Sequence, residues 1–337
     1  MATYGGNTLK HFGVYGCGAW GIALAQNFSH LGKVLVYAKN EAKALDINEK
    51  RTHPKYPTLQ LHERIKATSD QTLLKDADLL FYVAPVQQAL SCFEEIKSWL
   101  PRATPVVLCS KGLIQETGEF LTTALQKIVP NPLYSLSGPN FAHEVIQGLP
   151  TASTFSGTCL LKTQELSKAL STRTLRLYAS DDLVGVQICG ALKNVLAIAC
   201  GILHAKNLGL NAYSALITRG LAEIRRLGIK MGGKPSTFLG LSGVGDVTLT
   251  CGSEFSRNTM LGKRIGSSTL PVTELLKQSE GVSEGYFTAF ALENLLTRFD
   301  VRMPIFQSVL LTLKGDLSVQ DAIHQLLAQQ ETYLEEE

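Results

Sequence analysis

At 337 residues, with 45% hydrophobic and 18% charged residues, the chain carries enough apolar material for two domains with buried cores, and disorder over most of its length is excluded. The net charge of +3 is spread along the sequence rather than gathered in a block, which argues against a dedicated nucleic-acid binder and suits a small anionic ligand. Seven cysteines, none in a C-x-x-C pair, read as reduced thiols of a cytosolic protein, and no metal site is expected.

The start, Met1 to His11, is polar and has neither signal-peptide nor transit-peptide character. No uninterrupted apolar run approaches the roughly 18–20 residues of a membrane helix. The most apolar stretch, Val184 to Leu203, carries Lys193 and Asn194 in its middle. A cytoplasmic protein without membrane insertion is expected.

In chain order, Phe12–Tyr15 predicts a strand, Ala19–His30 a helix and Val34–Tyr37 a second strand. Asp78–Val83 predicts a buried strand, Gln87–Trp99 a helix, Val106–Cys109 a strand, Phe120–Ile128 a helix and Tyr134–Ser137 a strand. Weaker strand signals follow at Thr151–Phe155 and Leu175–Tyr178. Strands apolar on both faces, alternating with helices, predict an α/β fold: a Rossmann-type, doubly wound, mostly parallel sheet. After about Asp182 strand signals stop. Helical patterns cover Val184–His204, Ala212–Leu227, Gly285–Arg298 and Pro304–Leu313, with glycine-rich joints. The division expected is residues 1–185 as a dinucleotide-binding domain and 186–337 as an all-helical substrate and dimerisation domain, ending in a solvated Glu335–Glu337 tail.

The run Gly16-Cys17-Gly18-Ala19-Trp20-Gly21 matches G-x-G-x-x-G in its proper setting, after an apolar strand and at the start of an Ala/Leu-rich helix. Gly16 suits the tight turn, Gly18 the approach of a pyrophosphate and Gly21 the packing of helix on strand, with free helix N–H groups facing the phosphates. At the end of the second strand, where an acid would bind the ribose of NAD, stands Tyr37-Ala38-Lys39-Asn40. Lys39 suits a 2′-phosphate, so NADPH is the preferred cofactor and NAD the alternative. Glu41 could supply the missing acid if the strand ended later.

Further motifs each have a plain structural account as well as a functional one. Lys111, in Ser110-Lys111-Gly112 after a buried strand, can hold a phosphate or sit in a surface loop. The turn Ser137-Gly138-Pro139-Asn140-Phe141 can present N–H groups and the Asn140 amide to a ligand, or be a turn only. Lys193 lies in a helix apolar on nearly every face, sharing a stripe with Ala197 and Cys200 that offers no charge partner. It either snorkels along an edge or faces a cleft, where it can exchange a proton with a reacting group. His204, three turns on, reads as structural. Gly240–Asp246 reads as a glycine-dense loop ending in an acid. Ser256-Arg257-Asn258, at the start of the helical pattern Thr259–Ile265, reads as a phosphate clamp or a helix cap.

Taken together and in this order, the motifs resemble the NAD(P)-dependent glycerol-3-phosphate dehydrogenases, particularly the bacterial form, from Gly13 to about Gly285. The carrying pieces are the loop at 16–21, SKG at 110–112, GPNFA at 138–142, GALKN at 190–194, TRG at 218–220 with Glu223, GLSGVGD at 240–246, SRN at 256–258 and EGVSEG at 280–285. Asn140 stands where many bacterial members have Ser or Thr, and Lys39 where Arg or His is frequent. The resemblance implies reversible reduction of dihydroxyacetone phosphate to glycerol 3-phosphate for phospholipid synthesis, by a homodimer. It implies that Lys193 donates or accepts the proton and that Asp246 orients it. Lys111, Gly138, Asn140, Ser256, Arg257 and Asn258 would surround the substrate with them. Gly16, Gly18, Ala19, Trp20, Gly21, Lys39, Tyr56, Lys111, Ala142, Arg257, Val282 and Glu284 would touch the cofactor. Competing readings are another two-domain β-hydroxyacid-type dehydrogenase and a non-catalytic dinucleotide sensor. The former lacks a reason for the Ser256–Asn258 cluster, and the latter for a lone lysine in an apolar helix.

Overall fold

The computed structural model describes residues 3–278 and 283–328, so the Val282 position and the Glu335–Glu337 tail fall outside the described residues. The chain divides into two compact units, Met1–Ser110 with Leu121–Leu183, and Lys111–Phe120 with Val184–Glu337.

The first unit opens with a small antiparallel pair, β1 (Thr3–Tyr4) and β2 (Asn7–Thr8). The main alternation follows: β3 (His11–Tyr15), α1 (Ala19–Phe28), β4 (Lys33–Tyr37), α2 (Glu41–Lys50), β5 (Ile65–Thr68), β6 (Leu79–Tyr82), α3 (Ala89–Ile96) and β7 (Val106–Leu108). Then come α4 (Leu121–Leu125), β8 (Leu133–Ser137), α5 (Ala142–Ile146), β9 (Thr151–Gly157), α6 (Leu160–Leu170) and β10 (Leu175–Ser180). Eight strands form one sheet in the order β10-β9-β8-β7-β6-β3-β4-β5. Every pairing is parallel except β8 with β9, which is antiparallel. From β3 the chain winds outward through β4 to β5, then returns to β6 on the other side of β3. The strand order therefore reverses at β3, and the carboxyl end of β3 opens the crevice where such sheets bind ligands.

Residues alternate across this sheet as the pleat requires. Phe12 and Phe81 project to the face covered by α1, where the Phe28 ring stacks on Phe81 with centroids 4.5 Å apart. In register across β4, β3 and β6 stand Tyr37, Tyr15 and Tyr82, with centroids 4.7 and 5.6 Å from Tyr15.

The predicted strands and long helices are present, and strands end with β10 among the described residues. The weak signals at 151 and 175 are the strands β9 and β10. The predicted helix over 120–128 contracts to the five residues of α4. Sequence periodicity missed α2, which buries only Ala44 and Ile47, and the four-residue β5, with Lys66 exposed. Too few apolar residues stand at regular spacing in either to show a period.

The second unit is built around α7 (Leu183–Ala205). This helix is long and apolar enough to cross a membrane, but 83% of its apolar window is buried, as in a core helix. It is followed by α8 (Gly209–Lys230), α9 (Pro235–Phe238), a π-helical turn over Leu241–Gly245 and α10 (Asp246–Cys251). The remainder is α11 (Arg257–Ser267), α12 (Val272–Lys277), α13 (Glu284–Phe299), α14 (Pro304–Lys314) and α15 (Val319–Ala328). The predicted 240–246 loop is thus helical: the glycines accommodate a wide turn that runs directly into α10. Helices α7 and α11 cross backbone to backbone. A Cβ on Gly201 would lie 2.1 Å from the Thr259 carbonyl oxygen, and one on Gly262 would lie 2.0 Å from that of Ile198. Segment 111–120, which the sequence division put before residue 185, packs in this unit. Its Leu113 and Phe120 enter the helical core, and the Asn294 amide donates to the Glu116 carbonyl at 3.4 Å.

Glu223 of α8 is 4% exposed, and its carboxylate accepts the N–H groups of Ile305 and Phe306 at 3.1–3.4 Å, capping the first turn of α14. Burial pushes its pKa up to about 7, with those N–H groups and Arg226 and Arg219 opposing the rise. A carboxyl that binds its proton more tightly when folded contributes most below its unfolded value near 4.5, and loses that contribution as pH rises to about 7. At about 1.4 kcal/mol per unit, the loss reaches about 3 kcal/mol. Glu223→Gln, which keeps an acceptor for the α14 N–H groups, is expected to match the wild type in urea midpoint at pH 5. It should exceed the wild type at pH 8.

Candidate active site

The loop between β3 and α1 is shaped by two glycines. Gly16 has φ +122° and donates its N–H to the Tyr37 carbonyl at 3.2 Å. A Cβ on Gly21 would lie 1.9 Å from the Gly16 carbonyl oxygen, so no other residue lets α1 sit this close to the turn. At Gly18, the N-cap of α1, a Cβ would meet nothing within 4 Å, and the helix begins with no side-chain cap. Its first N–H groups are therefore available to an anion. Ala19 and Trp20, half-buried, form the first turn.

Beside the loop, β4 ends at Tyr37, and Lys39 is exposed just beyond it. The Asn40 side chain caps α2 by accepting the Lys43 N–H at 3.2 Å, which places Glu41 inside α2 and leaves no acid at the strand end. Tyr56 is half-buried in the turn after α2, where its N–H donates to the His53 carbonyl at 2.7 Å. His53 itself is buried, and its Nε2 lies 3.0 Å from the Cys17 carbonyl oxygen in the glycine loop. Gly138 has φ +147° at the end of β8. The Asn140 amide donates to Ser153 Oγ of β9 at 3.0 Å, and Ala142 begins α5.

In the second unit three charged side chains meet in the interior. Asp246, 1% exposed at the start of α10, accepts from Lys193 Nζ at 2.5 Å on one oxygen and from Lys111 Nζ at 2.8 Å on the other. Lys193 also donates to Thr250 Oγ1 at 2.7 Å, one turn along α10. Burial alone would raise the Asp246 carboxyl, but the Lys111 and Lys193 ammonium groups outweigh it and hold the carboxyl below the ordinary range. Burial, with the Lys193 charge adding to it, brings Lys111 down to about 8 against the pull of Asp246. Asp246 is thus the charge partner that the helix stripe around Lys193 could not supply.

An amide chain lies beside this cluster. Asn194 donates to the carbonyls of Gly190 at 3.3 Å and Lys111 at 3.4 Å, and its oxygen accepts from Asn258 Nδ2 at 3.0 Å. The Asn258 oxygen accepts the Gly285 N–H at 3.1 Å. Asn258 is therefore engaged with α7 and α13. Ser256 is the N-cap of α11, accepting the Thr259 N–H at 3.2 Å. Arg257 is exposed at the first position of that helix, and half-buried Glu284 opens α13. Sequence reading brought out Lys193 and Asp246 but passed over Thr250, His53 and the hydrogen bonds of Asn194. The i, i+4 spacing of Asp246 and Thr250 on one helix face is a signal that could have found Thr250. No spacing marks the other two. Among the described residues no group of His, Cys, Asp and Glu could hold a metal ion.

The sequence profile described as the NAD-dependent glycerol-3-phosphate dehydrogenase N-terminus matches residues 11–161, and that of the C-terminus matches 182–324. A glycerol-3-phosphate dehydrogenase [NAD(P)+] of Hyphomonas neptunium is 41% identical over 322 residues, 95% of this chain and 96% of its own. The Gluconobacter oxydans protein of the same name is 41% identical over 95% of this chain and 97% of its own. The crystal structure of glycerol-3-phosphate dehydrogenase from Coxiella burnetii superposes with TM-score 0.90 at 30% identity, covering 96% of this chain and 100% of that one.

Asp246→Asn would leave two ammonium groups facing a neutral amide in the interior. Removing one partner of a buried ion pair costs about 3–5 kcal/mol. Urea unfolding of this variant at pH 7 should show a loss of that order. Part of it should return at pH 9.5, where Lys111, brought down to about 8 in the wild type, can shed its charge in place.

Proposed function

Since the chain belongs to the NAD-dependent glycerol-3-phosphate dehydrogenase family, we propose that it interconverts dihydroxyacetone phosphate and sn-glycerol 3-phosphate with NADPH, and with NADH as the second choice. The observation that carries this reading is the pair of lysines, Lys193 buried and Lys111 half-buried, on one buried aspartate. Such a cluster holds a proton donor ready next to an ionised carboxylate that keeps it oriented.

The residues of the glycine loop fit a dinucleotide: the space above Gly18 is open and the uncapped start of α1 offers N–H groups to a pyrophosphate. Gly16, Gly18, Ala19, Trp20 and Gly21 would hold it, with Lys39 at the 2′-phosphate of the adenosine ribose. Tyr56, Ala142, Lys111, Arg257 and Glu284 complete the proposed cofactor set. When bound, the nicotinamide supplies the hydride that reduces the C2 carbonyl of the substrate.

The chain's own task is the proton and the phosphate. As negative charge develops on the carbonyl oxygen, Lys193 hydrogen-bonds it and donates the proton. In the oxidation direction the same Nζ accepts it. Asp246 and Thr250 fix the direction of that Nζ. Lys111, brought down to about 8 and bonded to the other Asp246 oxygen, can exchange a proton near neutrality and so restore the charge on the cluster. Arg257, exposed at the first position of the eleven-residue α11, holds the substrate phosphate together with the helix N–H groups. Gly138 and Asn140 line the substrate in the same proposal. Fixing the phosphate lets remote binding energy hold C2 in place for reaction.

The wider proposal is a cytoplasmic homodimer that supplies glycerol phosphate for phospholipid synthesis. An open groove of 370 Å³ in the second unit, lined by Leu203, Leu208, Leu216, Val309 and Leu326, supports burial of this face by a second copy.

Lys193→Ala is expected to lower the turnover of dihydroxyacetone phosphate by roughly 10²–10⁴-fold, with the NADPH dissociation constant within about twofold of wild type. Unchanged turnover overturns the role of Lys193. NADPH binding by the wild type with no consumption on addition of dihydroxyacetone phosphate favours a sensor. Activity on 2-keto acids instead favours the β-hydroxyacid class. Lys39→Glu should raise KM for NADPH while leaving KM for NADH little changed, read from side-by-side steady-state rates.

A further inference from the structure

His53 lies outside every motif used so far. It sits in the turn after α2, is 8% exposed, and makes two ring hydrogen bonds. Its Nδ1 accepts the Lys55 N–H at 3.2 Å, so the single proton of the neutral ring is on Nε2. That Nε2–H donates to the Cys17 carbonyl oxygen at 3.0 Å. The turn carrying the ring is itself closed, by the 2.7 Å bond from the Tyr56 N–H to the His53 carbonyl and an antiparallel bridge between the two residues. The bond to Cys17 therefore ties the glycine loop to a second turn of the unit, closed by its own backbone bond.

The consequence follows from peptide geometry. The Cys17 carbonyl and the Gly18 N–H belong to one planar trans peptide and point in opposite directions. We propose that His53 is a positioning residue for the dinucleotide: by holding the Cys17 carbonyl against the 53–56 turn, it turns the Gly18 N–H to the open side of the loop, ready for a phosphate oxygen. Gly18 has no side chain to hold that peptide, and open space surrounds its Cβ direction, so without His53 the peptide can rotate. This proposal rests on the reading that the loop binds a dinucleotide.

The arrangement needs the neutral ring, because a protonated Nδ1 would face the Lys55 N–H donor. The groups around the ring favour neutrality. Burial lowers the imidazole pKa, the bond to Cys17 opposes this, and Lys43 of α2 and Lys55 of the turn lower it further. The Cys17 thiol, itself raised by burial, and the Tyr56 ring with its centroid 6.0 Å away complete the surroundings.

Two substitutions separate the two bonds. His53→Gln places an amide N–H where Nε2 stands and so can still reach Cys17, but loses the local acceptor. His53→Asn keeps an acceptor for the Lys55 N–H, in an Asx-type turn, but cannot reach Cys17. NADPH and NADH dissociation constants, measured by cofactor fluorescence with the full-length protein, should be roughly three- to tenfold weaker in His53→Asn, and His53→Gln should recover most of that loss. Wild-type affinity should also fall on acidification by more than that of His53→Gln, which shares the titration of the cofactor's own 2′-phosphate but has no imidazole. Equal affinities in all three proteins, or a greater loss in His53→Gln than in His53→Asn, overturn the proposal. If His53→Asn does not fold, identical pH profiles for the wild type and His53→Gln overturn it just as directly. A wild type that binds neither cofactor overturns the dinucleotide reading itself, and this proposal with it.

Discussion

The interaction on which the helical unit depends is one carboxylate between two ammonium groups. Asp246 at 1% exposure could not remain charged alone, and Lys193 could not be buried as a cation without it, while half-buried Lys111 adds the second ammonium group. Three elements distant in sequence are fastened by this arrangement: the segment after Ser110, the centre of α7 and the start of α10. With one negative and two positive charges the cluster carries a net positive charge, which suits it to an anionic substrate and to an oxygen acquiring negative charge. A neutral core would have held the three elements together at lower electrostatic cost. In the proposed mechanism the charged one supplies the proton donor.

The cluster is packed among buried residues of the helical unit. Helix α7 is apolar nearly throughout and meets α11 at glycine-to-backbone distance, and Lys193 and Asn194 are buried within it. The chain of amides from Lys111 through Asn194 and Asn258 to Gly285 then satisfies the polar groups that such burial strands. Asn258 belongs to this chain through both ends of its amide. In the proposed phosphate site Asn258 would hold the start of α11, beside Arg257 and the helix N–H groups.

Legibility in the sequence followed the physics of each element. Strands apolar on both faces and the glycine loop were plain, because burial and backbone sterics restrict which residues can stand there. The lysine in α7 was plain because nothing apolar explains it. The antiparallel β8–β9 pairing was not legible, since side-chain composition carries no strand direction. Nor was the π-helical turn at Leu241–Gly245, where glycines suggested a loop. The membership of segment 111–120 in the helical unit depends on where Leu113 and Phe120 find partners, which local pattern cannot say. The motifs singled out Lys193 and Asp246 as candidate site residues. That they share a hydrogen bond with each other, and with Lys111, is a fact of three dimensions.

The same distinction explains why residues such as His53 escape motif reading. A phosphate-binding loop is recognised by its glycines, yet its working groups are N–H dipoles that every sequence possesses. Which way those dipoles point is decided by whatever holds the carbonyl on the other side of each peptide. In this chain that holder is a neutral imidazole from a turn 36 residues further along, itself fixed by the N–H of Lys55. Glu223 acts in the same manner on a different helix, holding the first N–H groups of α14 from within α8. Both are ionisable side chains that burial biases toward the uncharged form, His53 by a lowered pKa and Glu223 by a raised one. Each does its work through backbone bonds. The glycines allow the loop its shape, and side chains of this second kind select one orientation from those the glycines allow.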